Sequence, residues 1–374
     1  MNVKFVSRRY CPGEAWTNRI IAYAKGLSEL GCKVSLIYLI PDKNRTRYKL
    51  DIPNVTIMNL WEQDCCFARK FRALSYLTNL LRINKYITKE DKVFVYNAEK
   101  GIVWAAKKAG AQVYVEITEH PYLGAIGKKS MKSVDKRSRK LNQVDGISVI
   151  SNSLRNYYMS IGIPESKISV VNMFVDSSRF RNIRRICTEP YIAYCGVVSY
   201  NKDGVNVLLK SFKLFLSKHP EYKLYIAGRG ETPSIIDELK QYCIDEGIIN
   251  NVIFMGQISP NDMPTLLVNA KMLALARPNN LQSQNGFPTK LGEYLATGNP
   301  VVVTKVGEIP KFLIHMNNGI LAEPDNIEDF AQKLLWVADN YEQAKVIGLK
   351  GQELVGSSFS YLTQAQILYN LMNL

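Results

Sequence analysis

The sequence lacks several features that would assign it to a functional class at once. Its three histidines and seven cysteines are scattered, no two cysteines are spaced as Cys-x-x-Cys, and no Asp-x-Asp pair occurs. We therefore expect neither a metal site nor a disulfide framework. No apolar run approaches the roughly 20 residues that span a bilayer, and the opening MNVKFVSRRY does not look like a signal peptide. These absences predict a cytoplasmic protein with reduced thiols and no metal cofactor.

Positive charge is the strongest compositional feature. Lysine and arginine number 48 against 33 acidic residues, which gives a formal net charge of +15. Such an excess predicts an anionic partner: a nucleotide diphosphate, a lipid diphosphate, an acidic membrane surface or a nucleic acid. No nucleic-acid-binding motif accompanies the charge, so we do not expect nucleic acid. The basic residues cluster in the first half of the chain, from residue 128 to 140 and at Arg69, Lys70, Arg72, Arg82 and Lys85.

One basic cluster lies in a segment with helical periodicity. Between Phe67 and Ile87, the apolar residues Phe67, Phe71, Leu74 and Leu81 recur at helical spacing with basic residues between them. This pattern fits a helix that packs on the core, and it also fits a helix that lies on a membrane surface. We expect the core-facing arrangement first and membrane contact second.

Apolar, β-branched runs alternate with helical periodicity along the chain, which predicts parallel sheets flanked by helices. A polar, aperiodic stretch from Ser177 to Pro190 separates two series of strands. The predicted fold class is α/β, with two doubly wound Rossmann-like domains that each bury a core. The first series is predicted at residues 3–6, 33–39, 92–96, 112–117, 146–150 and 168–171, and the second begins at residues 191, 223, 251, 271, 300 and 319.

The most specific signal is the stretch GFPTKLGEYLATGNPVVVTKVGEIP, from Gly286 to Pro310. Pro288 predicts an extended entry, and a helix begins at Thr289 or Lys290. The N–H groups at a helix start, with the Lys290 ammonium beside them, can bind an anionic diphosphate. One turn further, Glu293 can accept hydrogen bonds from two ribose hydroxyls. Together these features predict a nucleotide-sugar site on a single helix.

This stretch resembles the retaining glycosyltransferases of the GT-B fold, in particular family four, which builds bacterial surface polysaccharides. That family carries two glutamates separated by seven residues; the second falls on Glu293 and the first on Asn285. In the family, the first acid lies near the hydroxyls of the donor sugar, and the backbone after it holds sugar and phosphate. Asn285 can hydrogen-bond a hydroxyl but carries no charge. The resemblance thus implies as substrate-binding residues Asn285, Gly286, Phe287, Pro288 and Thr289.

The resemblance also implies how the two domains divide the work. In the GT-B fold, two Rossmann-like domains face each other across a cleft, and the final helix crosses back onto the first domain. On this chain, residues 1–182 with helix 358–374 would form the acceptor-binding domain, and residues 190–357 the donor-binding domain. Metal-dependent glycosyltransferases use an Asp-x-Asp pair to hold a divalent ion on the diphosphate. Because that pair is absent here, we expect cationic side chains and helix ends to act in its place.

Two strand ends of the first domain hold further candidates. Gly13, after the first strand, lets the backbone approach a phosphate or an acceptor, and the family places a glycine loop there; an ordinary loop glycine is the alternative. His120 follows the strand of EITEHPY, and the resemblance implies that a histidine at this point contacts the donor sugar near the reacting carbon. Glu119 is its nearest rival.

The first loop of the second domain departs from the family pattern. In CGVVSYNKDGVNVLLKSF, residues 195–212, Val197 stands where the family has an arginine, and Asp203 stands where it has a lysine. Lys202 is one residue earlier, and its flexible stem can still reach the diphosphate. We expect Lys290 to replace the missing arginine. The catalytic residues predicted on this basis are His120, Lys202, Lys290 and Glu293.

Two polar turns complete the predicted donor site. AGRGE places Gly228 and Arg229 in a strand-to-helix turn, which passes near the nucleotide base in the family; a tight structural turn is the alternative. Asn280 and Gln282, together with Asn285, offer amide groups to sugar hydroxyls, and a solvated loop is the alternative.

The expected reaction moves a sugar from a nucleoside diphosphate to a saccharide hydroxyl, with no cofactor beyond the donor. Charge and resemblance together suggest a lipid-diphosphate-linked acceptor at the inner membrane face, as in capsule or O-antigen assembly. The expected partners are the nucleotide-sugar donor, the saccharide acceptor and an anionic membrane surface. Two alternatives stay open: a nucleotide-sugar epimerase or sugar phosphorylase of the same fold, and a non-catalytic nucleotide-sugar-binding subunit. The base, the sugar and the linkage are not fixed by these motifs.

Overall fold

The computed structural model describes residues 1–11, 14–42, 49–125, 130–186 and 189–374. They form two compact units, the first comprising Met1–Asn172 with Tyr361–Leu374 and the second Met173–Ser360. Each unit contains a parallel β-sheet with helices between successive strands. The predicted α/β class with two Rossmann-like sheets is confirmed.

The sheet of the first unit is built from the predicted apolar runs, with one addition. The predicted strands are confirmed to within one residue at each end. The prediction missed the edge strand Val55–Asn59, whose residues are mostly half-buried, so that VTIMN lacks the apolar character of a central parallel strand. In sheet order, the described strands are β3 (Val55–Asn59), β2 (Lys33–Tyr38), β1 (Asn2–Ser7), β4 (Lys92–Tyr96), β5 (Gln112–Ile117), β6 (Gly146–Val149) and β7 (Ile168–Val170).

The second unit repeats this architecture, and each predicted run of its series forms a strand. Two neighbouring strands of this sheet, Met272–Leu275 and Val301–Thr304, are buried throughout, as expected for parallel strands covered on both faces. In sheet order, the strands are β10 (Val252–Gly256), β9 (Lys223–Ala227), β8 (Tyr191–Cys195), β11 (Met272–Leu275), β12 (Val301–Thr304) and β13 (Ile320–Ala322).

Helices connect the strands of both sheets. The predicted helix of the main motif is confirmed, beginning at Thr289, and Gly298 follows it with φ +66°. The first unit contains α1 (Ala15–Glu29), α2 (Cys66–Lys70), α3 (Arg72–Arg82), α4 (Lys100–Lys108), α5 (Met131–Ser138), α6 (Asn152–Ser160) and α16 (Tyr361–Met372). The second contains α7 (Tyr200–Asp203), α8 (Val205–Leu216), α9 (Ile235–Asp245), α10 (Met263–Asn269), α11 (Leu281–Asn285), α12 (Thr289–Ala296), α13 (Ile309–Phe312), α14 (Ile327–Asp339) and α15 (Tyr341–Gly356).

The prediction that the segment Phe67–Ile87 faces the core is wrong for Phe67, Phe71 and Leu81, whereas Leu80, Ile83 and Ile87 are buried as expected. The segment breaks between α2 and α3, and its two phenylalanines and Leu81 are exposed. The side of α3 that packs on the unit contains Leu80 and two polar residues, Ser75 and Asn79, which donate hydrogen bonds to the buried carboxylate of Asp64. The apolar stripe of the helix therefore faces solvent.

A buried ion pair fixes α1 to the sheet of the first unit. Arg19 donates two hydrogen bonds to Oε1 of Glu116, at 2.9 and 2.8 Å, and the Tyr23 hydroxyl donates to the same oxygen at 2.6 Å. Burial would lower the pKa of Arg19, but the adjacent Glu116 raises it above its ordinary value. Glu116, one of the two acids in EITEHPY, thus has a structural partner in the fold.

Helix α16 packs closely against α1. A Cβ atom added at Gly26 would lie 2.5 Å from the Cβ of Ala365 and 3.2 Å from the carbonyl oxygen of Tyr361. The Tyr114 hydroxyl also donates to the carbonyl oxygen of Met372 at 3.2 Å, which joins the end of α16 to β5. The C-terminal helix is therefore an integral layer of the first unit.

Gly26→Ala should lower the free energy of unfolding by about 1–3 kcal/mol, because the added methyl group overpacks this contact. The same change in an open helix stabilises by up to about 1 kcal/mol. Urea denaturation of Gly26→Ala, Ala365→Gly and the double variant measures the effect, and the double variant should recover part of the loss. Gly356→Ala, where nothing lies within 4 Å, is the control. A Gly26→Ala protein at least as stable as the wild type would contradict the close packing.

Candidate functional site

The strand order of the second sheet reverses between β8 and β11. Open parallel sheets bind ligands beyond the carboxyl ends of the strands at such a reversal. The loops that follow these two strands lead into α7 and α11, and α12 begins shortly afterwards. The sequence-predicted residues of the second unit lie on these elements.

Asp203 is brought to the reversal by the short helix α7. Gly204 ends that helix with φ +65°, and a Cβ atom there would overlap the carbonyl oxygen of Ala276. The two segments can pass this closely because glycine has no side chain. Asp203 consequently lies beside Arg277, the residue after Ala276.

Asp203 is the centre of a buried cluster with Lys290, Arg277 and Tyr194, which we call the switch-point cluster. Its Oδ2 accepts hydrogen bonds from the Lys290 ammonium and, at 2.8 Å, from the Tyr194 hydroxyl, while its Oδ1 lies 3.4 Å from NH1 of Arg277. Burial would raise the pKa of Asp203, but the two cations outweigh it and the pKa is lowered. Burial lowers the pKa of Lys290, against the opposing effect of Asp203. One carboxylate therefore faces two buried cations.

The sequence analysis missed Arg277. Its side chain is 3% exposed, and its Nε–H has no hydrogen-bond acceptor within the described ranges. A Cβ atom at Gly286 would lie 3.8 Å from its NH2 group, so the guanidinium adjoins the turn before α12. The available signal was an arginine two residues after the end of a fully buried strand, since a buried cation requires an anionic partner.

Helix α12 contributes its first turn to this region. Pro288 precedes it in an extended conformation and has no N–H, so it shapes the turn without donating. Thr289 and Lys290 then carry N–H groups at the helix start, where intrahelical acceptors are lacking. Tyr294 ties the helix to β8, because its hydroxyl accepts a hydrogen bond from the Cys195 N–H at 2.7 Å.

Glu293 is held by a residue outside its own helix. Arg179, in the 3₁₀ turn Ser177–Phe180, donates to Oε1 of Glu293 and to the carbonyl oxygen of Pro260, both at 2.9 Å. Burial raises the pKa of Glu293, and Arg179 partly opposes this effect. Burial, with Glu293 nearby, also raises the pKa of the Cys195 thiol to about 11. Arg179, to which the sequence analysis gave no role, thus sets the direction of the Glu293 carboxylate.

Two predicted substrate-binding residues are packed into the protein. The ring of Phe287 is 4% exposed and lies 5.4 Å from the ring of Phe312 and 5.5 Å from that of Phe359, measured between centroids. A Cβ atom at Gly286 would lie 2.9 Å from the carbonyl oxygen of Gln282. These two residues can therefore meet a ligand through their backbone and not through side chains.

The predicted amide residues are engaged to different degrees. Asn280 caps α11, accepting from the N–H of Ser283 at 3.0 Å and donating to a carbonyl oxygen of α7 at 2.6 Å. Asn285 is buried and donates to the carbonyl oxygen of Leu281 at 2.8 Å. Gln282 is half-buried. The cap at Asn280 gives that residue a structural task in addition to its predicted one.

The remaining predictions in the second unit lie around the end of β8. A Cβ atom at Gly228 would overlap the carbonyl oxygen of Gly196, so this glycine lets two strand ends approach each other. Arg229 is exposed, and its carbonyl oxygen accepts from the N–H of Val198 at 2.9 Å. Lys202 is half-buried in α7, next to Asp203. The structure brings Lys290 and Asp203 into contact, with Lys202 adjacent in the chain.

Two predicted residues lie in the first unit. His120 is 6% exposed, and its Nδ1 accepts from the N–H of Tyr122 at 3.3 Å, which leaves the proton of the neutral ring on Nε2. Its ring centroid lies 4.7 Å from that of Tyr122 and 4.3 Å from that of Tyr157. Burial lowers the pKa of His120, which favours the neutral form. Glu119 is exposed beside it, and Gly13 lies outside the described residues.

The first sheet reverses its order between β1 and β4, and a pocket of about 220 Å³ lies there. The ring centroids of Trp16 and Tyr96 are 6.0 Å apart in its wall. The Arg8 guanidinium lies 4.4 Å from the ring centroid of Tyr76, and its Nε lies 3.9 Å from Oε2 of Glu99. Aromatic faces beside a few charged groups are typical of sites for small polar ligands.

Asp203→Asn should lower the free energy of unfolding by about 3–5 kcal/mol, because two buried cations would then face a neutral amide. The lowered pKa of Asp203 means that its stabilising contribution is present above the unfolded value of about 3.9 and is lost as the pH falls through the folded value. Urea denaturation over a series of pH values measures both effects. The wild type should lose stability more steeply on acidification than the variant.

Glu323→Gln is the matched control for this prediction, because it removes an exposed ion pair with Lys305 from the same unit. Its effect should stay below about 1 kcal/mol. A loss for Asp203→Asn no larger than that of the control would contradict the role of Asp203 in the cluster.

Comparison with known families gives a match in the second unit. Residues 189–340 match the family described as Glycosyl transferases group 1. The matched stretch contains Asp203, Arg277, Lys290 and Glu293, and it lies within Met173–Ser360. The family match and the switch-point cluster therefore coincide.

Curated relatives are distant glycosyltransferases. The chain is 27% identical to the uncharacterized glycosyltransferase MJ1607 of Methanocaldococcus jannaschii over 50% of this chain and 48% of that protein. It is 21% identical to the uncharacterized glycosyltransferase MJ1178 of the same organism over 76% of this chain and 77% of that protein. It is 26% identical to the capsular polysaccharide biosynthesis glycosyltransferase CapM of Staphylococcus aureus over 45% and 42%. The similarity thus spans about half the length of two of these relatives.

Solved structures match the fold over the whole chain. A glycosyltransferase from Rickettsia africae ESF-5 has a TM-score of 0.76 at 18% identity, covering 100% of this chain and 97% of that chain. Alr3699/HepE of Anabaena, solved in complex with UDP and glucose, has a TM-score of 0.75 at 17% identity and covers 100% of both chains. The predicted GT-B fold is confirmed, and residues 189–340 are similar to the group 1 glycosyltransferases, which agrees with the predicted glycosyltransferase class.

Proposed function

We propose that the chain transfers a sugar from a nucleoside diphosphate sugar to a saccharide hydroxyl, with the anomeric configuration retained. The observation that carries the proposal is the switch-point cluster: two buried cations share one carboxylate at the strand reversal, beside the start of α12. After that pairing the cluster keeps one positive charge. A diphosphate complements this positively charged cluster, because helix-start N–H groups and cations both stabilise it.

The diphosphate would lie against the first turn of α12. Lys290 would bind one of its oxygens through the ammonium, and the N–H groups of Thr289 and Lys290 would bind others. Arg277, which has an unused Nε–H, adjoins the same turn. In the family, an arginine and a lysine stand at the positions of Val197 and Asp203. Lys290 and Arg277 would supply the two cations in their place, and the proposal requires no metal ion.

The ribose would lie one turn along the same helix, at Glu293. Arg179 occupies Oε1 of that carboxylate and fixes its direction, so Oε2 is the oxygen to which ribose hydroxyls would donate. Alr3699/HepE was solved in complex with UDP and glucose, which makes UDP-glucose the first donor to test.

The chemistry would follow from stabilising the leaving group. The bond between the sugar C1 and the β-phosphate oxygen breaks, and its electron pair leaves with the phosphate. The acceptor oxygen forms a new bond to C1 on the same face, and its proton passes to the departing phosphate. Because positive charge develops on the ring and negative charge on the phosphate, cations and N–H groups directed at the phosphate lower the barrier. Proton NMR of the product's anomeric centre tests this mechanism, since inversion would contradict it.

The acceptor would bind to the first unit, where His120 and Glu119 would contact the reacting sugars and the pocket beyond β1 and β4 offers aromatic faces. His120 is suited to donate a hydrogen bond from Nε2, because its Nδ1 is occupied by the Tyr122 N–H. CapM is a glycosyltransferase of capsular polysaccharide biosynthesis, and the similarity to it supports a place for this chain in capsular or related surface polysaccharide synthesis. We extend this to a lipid-diphosphate-linked acceptor at the cytoplasmic face of the membrane.

A nucleotide-sugar-binding subunit without turnover is the alternative that a specific observation favours, because Asp203 already neutralises one of the two cations. Release of UDP in the presence of saccharide acceptors separates the two functions. Turnover with an acceptor supports transfer, and tight binding without any release of UDP supports the binding subunit. Release of sugar phosphate with inorganic phosphate, or interconversion of the donor sugar without an acceptor, would instead indicate a phosphorylase or an epimerase.

Lys290→Met should weaken UDP-glucose binding about 10–100-fold, which corresponds to the roughly 1.5–3 kcal/mol of a hydrogen bond to a charged group. Because this variant leaves Asp203 with a single cation, the charge-neutral double variant Lys290→Met/Asp203→Asn is measured beside it. Calorimetry should give weak binding for both. Recovery of wild-type affinity in the double variant would mean that Lys290 merely neutralises Asp203, and it would contradict the proposed contact. Lys305→Met/Glu323→Gln, an exposed pair in the same unit, is the control.

Glu293→Gln should abolish discrimination between UDP and 2′-deoxy-UDP. The wild type should favour UDP about tenfold, the worth of a hydrogen bond from the ribose to a carboxylate. Competitive calorimetry of both nucleotides against both proteins gives this comparison without requiring an acceptor. Glu328→Gln, an exposed position in the first turn of α14, should behave as the wild type. A Glu293→Gln protein that still prefers UDP tenfold would exclude Glu293 as the ribose ligand.

A further inference from the structure

The first unit carries an exposed apolar and basic surface that the site does not use. We call it the α2–α3 surface. Its apolar members are exposed by 64%, 52%, 55% and 66% of their area, whereas large apolar side chains in this unit are mostly buried. The surface consists of the apolar residues Phe67, Phe71, Leu77 and Leu81 and the exposed basic residues Lys70, Arg72, Arg82 and Lys85.

Helix α3 directs one row of apolar residues outward. Ala73, Leu77 and Leu81 follow one another at intervals of four residues, so they form one stripe on the helix, and all three are exposed. On α2 and the residue after it, the rings of Phe67 and Phe71 lie 4.9 Å apart between centroids and extend the apolar area. The stripe on α3 and the two phenylalanines before it are therefore exposed to solvent.

Polar contacts on the opposite side of α3 fix the rotation of the helix about its own axis. Asp64 is 3% exposed and accepts hydrogen bonds from Ser75, from Asn79 at 3.0 Å and from Thr78 at 3.3 Å. Arg82, which is half exposed, also pairs with Asp64, with its NH1 group 3.4 Å from Oδ1. Rotating the helix to bury Leu77 and Leu81 would break this network and leave a buried carboxylate unpaired, which is costly. The polar contacts hold the apolar stripe in solvent.

Charge indicates what this surface binds. From Cys66 to Thr88 the sequence contains five basic residues and no acidic residue. Of these, Arg82 is paired with Asp64. A second copy of the chain meeting this surface through a two-fold axis would still place an excess of positive charge against the same excess. An anionic lipid surface complements the charges, and it also receives the apolar stripe at the depth of the acyl chains.

We propose that the α2–α3 surface docks the first unit on an anionic membrane, with the leucines and phenylalanines inserted and the basic residues on the headgroups. Among the described residues no helix is long and apolar enough to cross a membrane. The physiological meaning of this docking, delivery of the first unit to a lipid-linked acceptor, rests on the function proposed above. The binding itself does not.

Co-sedimentation with vesicles tests the proposal. The full-length protein is mixed with vesicles of phosphatidylcholine alone or of phosphatidylcholine with phosphatidylglycerol, at low and high salt. The wild type should bind the anionic vesicles, and salt should weaken the binding. Leu77→Asn/Leu81→Asn should weaken it about tenfold or more, because the apolar stripe is lost. Arg72→Gln/Lys85→Gln should weaken it at low salt, where the charges act.

Matched controls separate the surface from general effects. Leu214→Asn/Ile244→Asn changes two exposed apolar residues of the second unit, and Lys210→Gln/Lys240→Gln removes two exposed charges there, leaving the same net charge as Arg72→Gln/Lys85→Gln. Both controls should bind vesicles as the wild type does. Circular dichroism and UDP-glucose binding without vesicles check that every variant is folded.

Each result decides the matter. Selective loss in the two α2–α3 variants supports the proposal, whereas absence of wild-type binding, or equal loss in the controls, overturns it. A wild-type dimer that Leu77→Asn/Leu81→Asn converts to a monomer, with no vesicle binding by either, would assign the surface to a second copy instead. Vesicle binding by a wild type that binds no nucleotide sugar would leave the docking surface standing and remove the proposed reaction.

Discussion

The buried carboxylate of Asp203 is the constraint on which the candidate donor site depends. The second sheet brings Lys290 and Arg277 to its reversal point, where two desolvated cations would repel each other and destabilise the fold. Asp203 pairs with both of them and makes their burial possible. It balances only one of the two charges, however, and the cluster stays positive. The same carboxylate therefore lets the site fold and leaves it attractive to a diphosphate.

The other parts of this site are also held by contacts outside the elements that carry them. Arg179 directs Glu293 from a turn 114 residues away in the chain, and Tyr294 joins α12 to the end of β8. Gly204 lets α7 approach the end of β11 closely enough for Asp203 to reach Arg277. Groups that are fixed before a ligand arrives need little reorganisation when charge develops, which is how preorganised sites stabilise a leaving group. The polar anchor at Asp64 acts differently, since it keeps an apolar stripe exposed.

The sequence predicted what local pattern determines and missed what distant pairing determines. Buried parallel strands are nearly continuous apolar runs, so their positions followed directly, while the half-buried edge strand Val55–Asn59 did not stand out. The start of α12 was predictable from proline and the polar residues after it. The orientation of α3 was not, because it depends on Asp64 rather than on the helix's own apolar spacing. Arg277 and Asp203 are 74 residues apart, and no local pattern connects them.

A crystal structure of the protein with bound UDP tests the central claim most directly. The account predicts that a β-phosphate oxygen lies within about 3 Å of Lys290 Nζ and of an N–H group in the first turn of α12. It also predicts that the ribose hydroxyls face Glu293. UDP bound elsewhere, or with its phosphates in solvent and no contact to Lys290 or Arg277, would contradict the account.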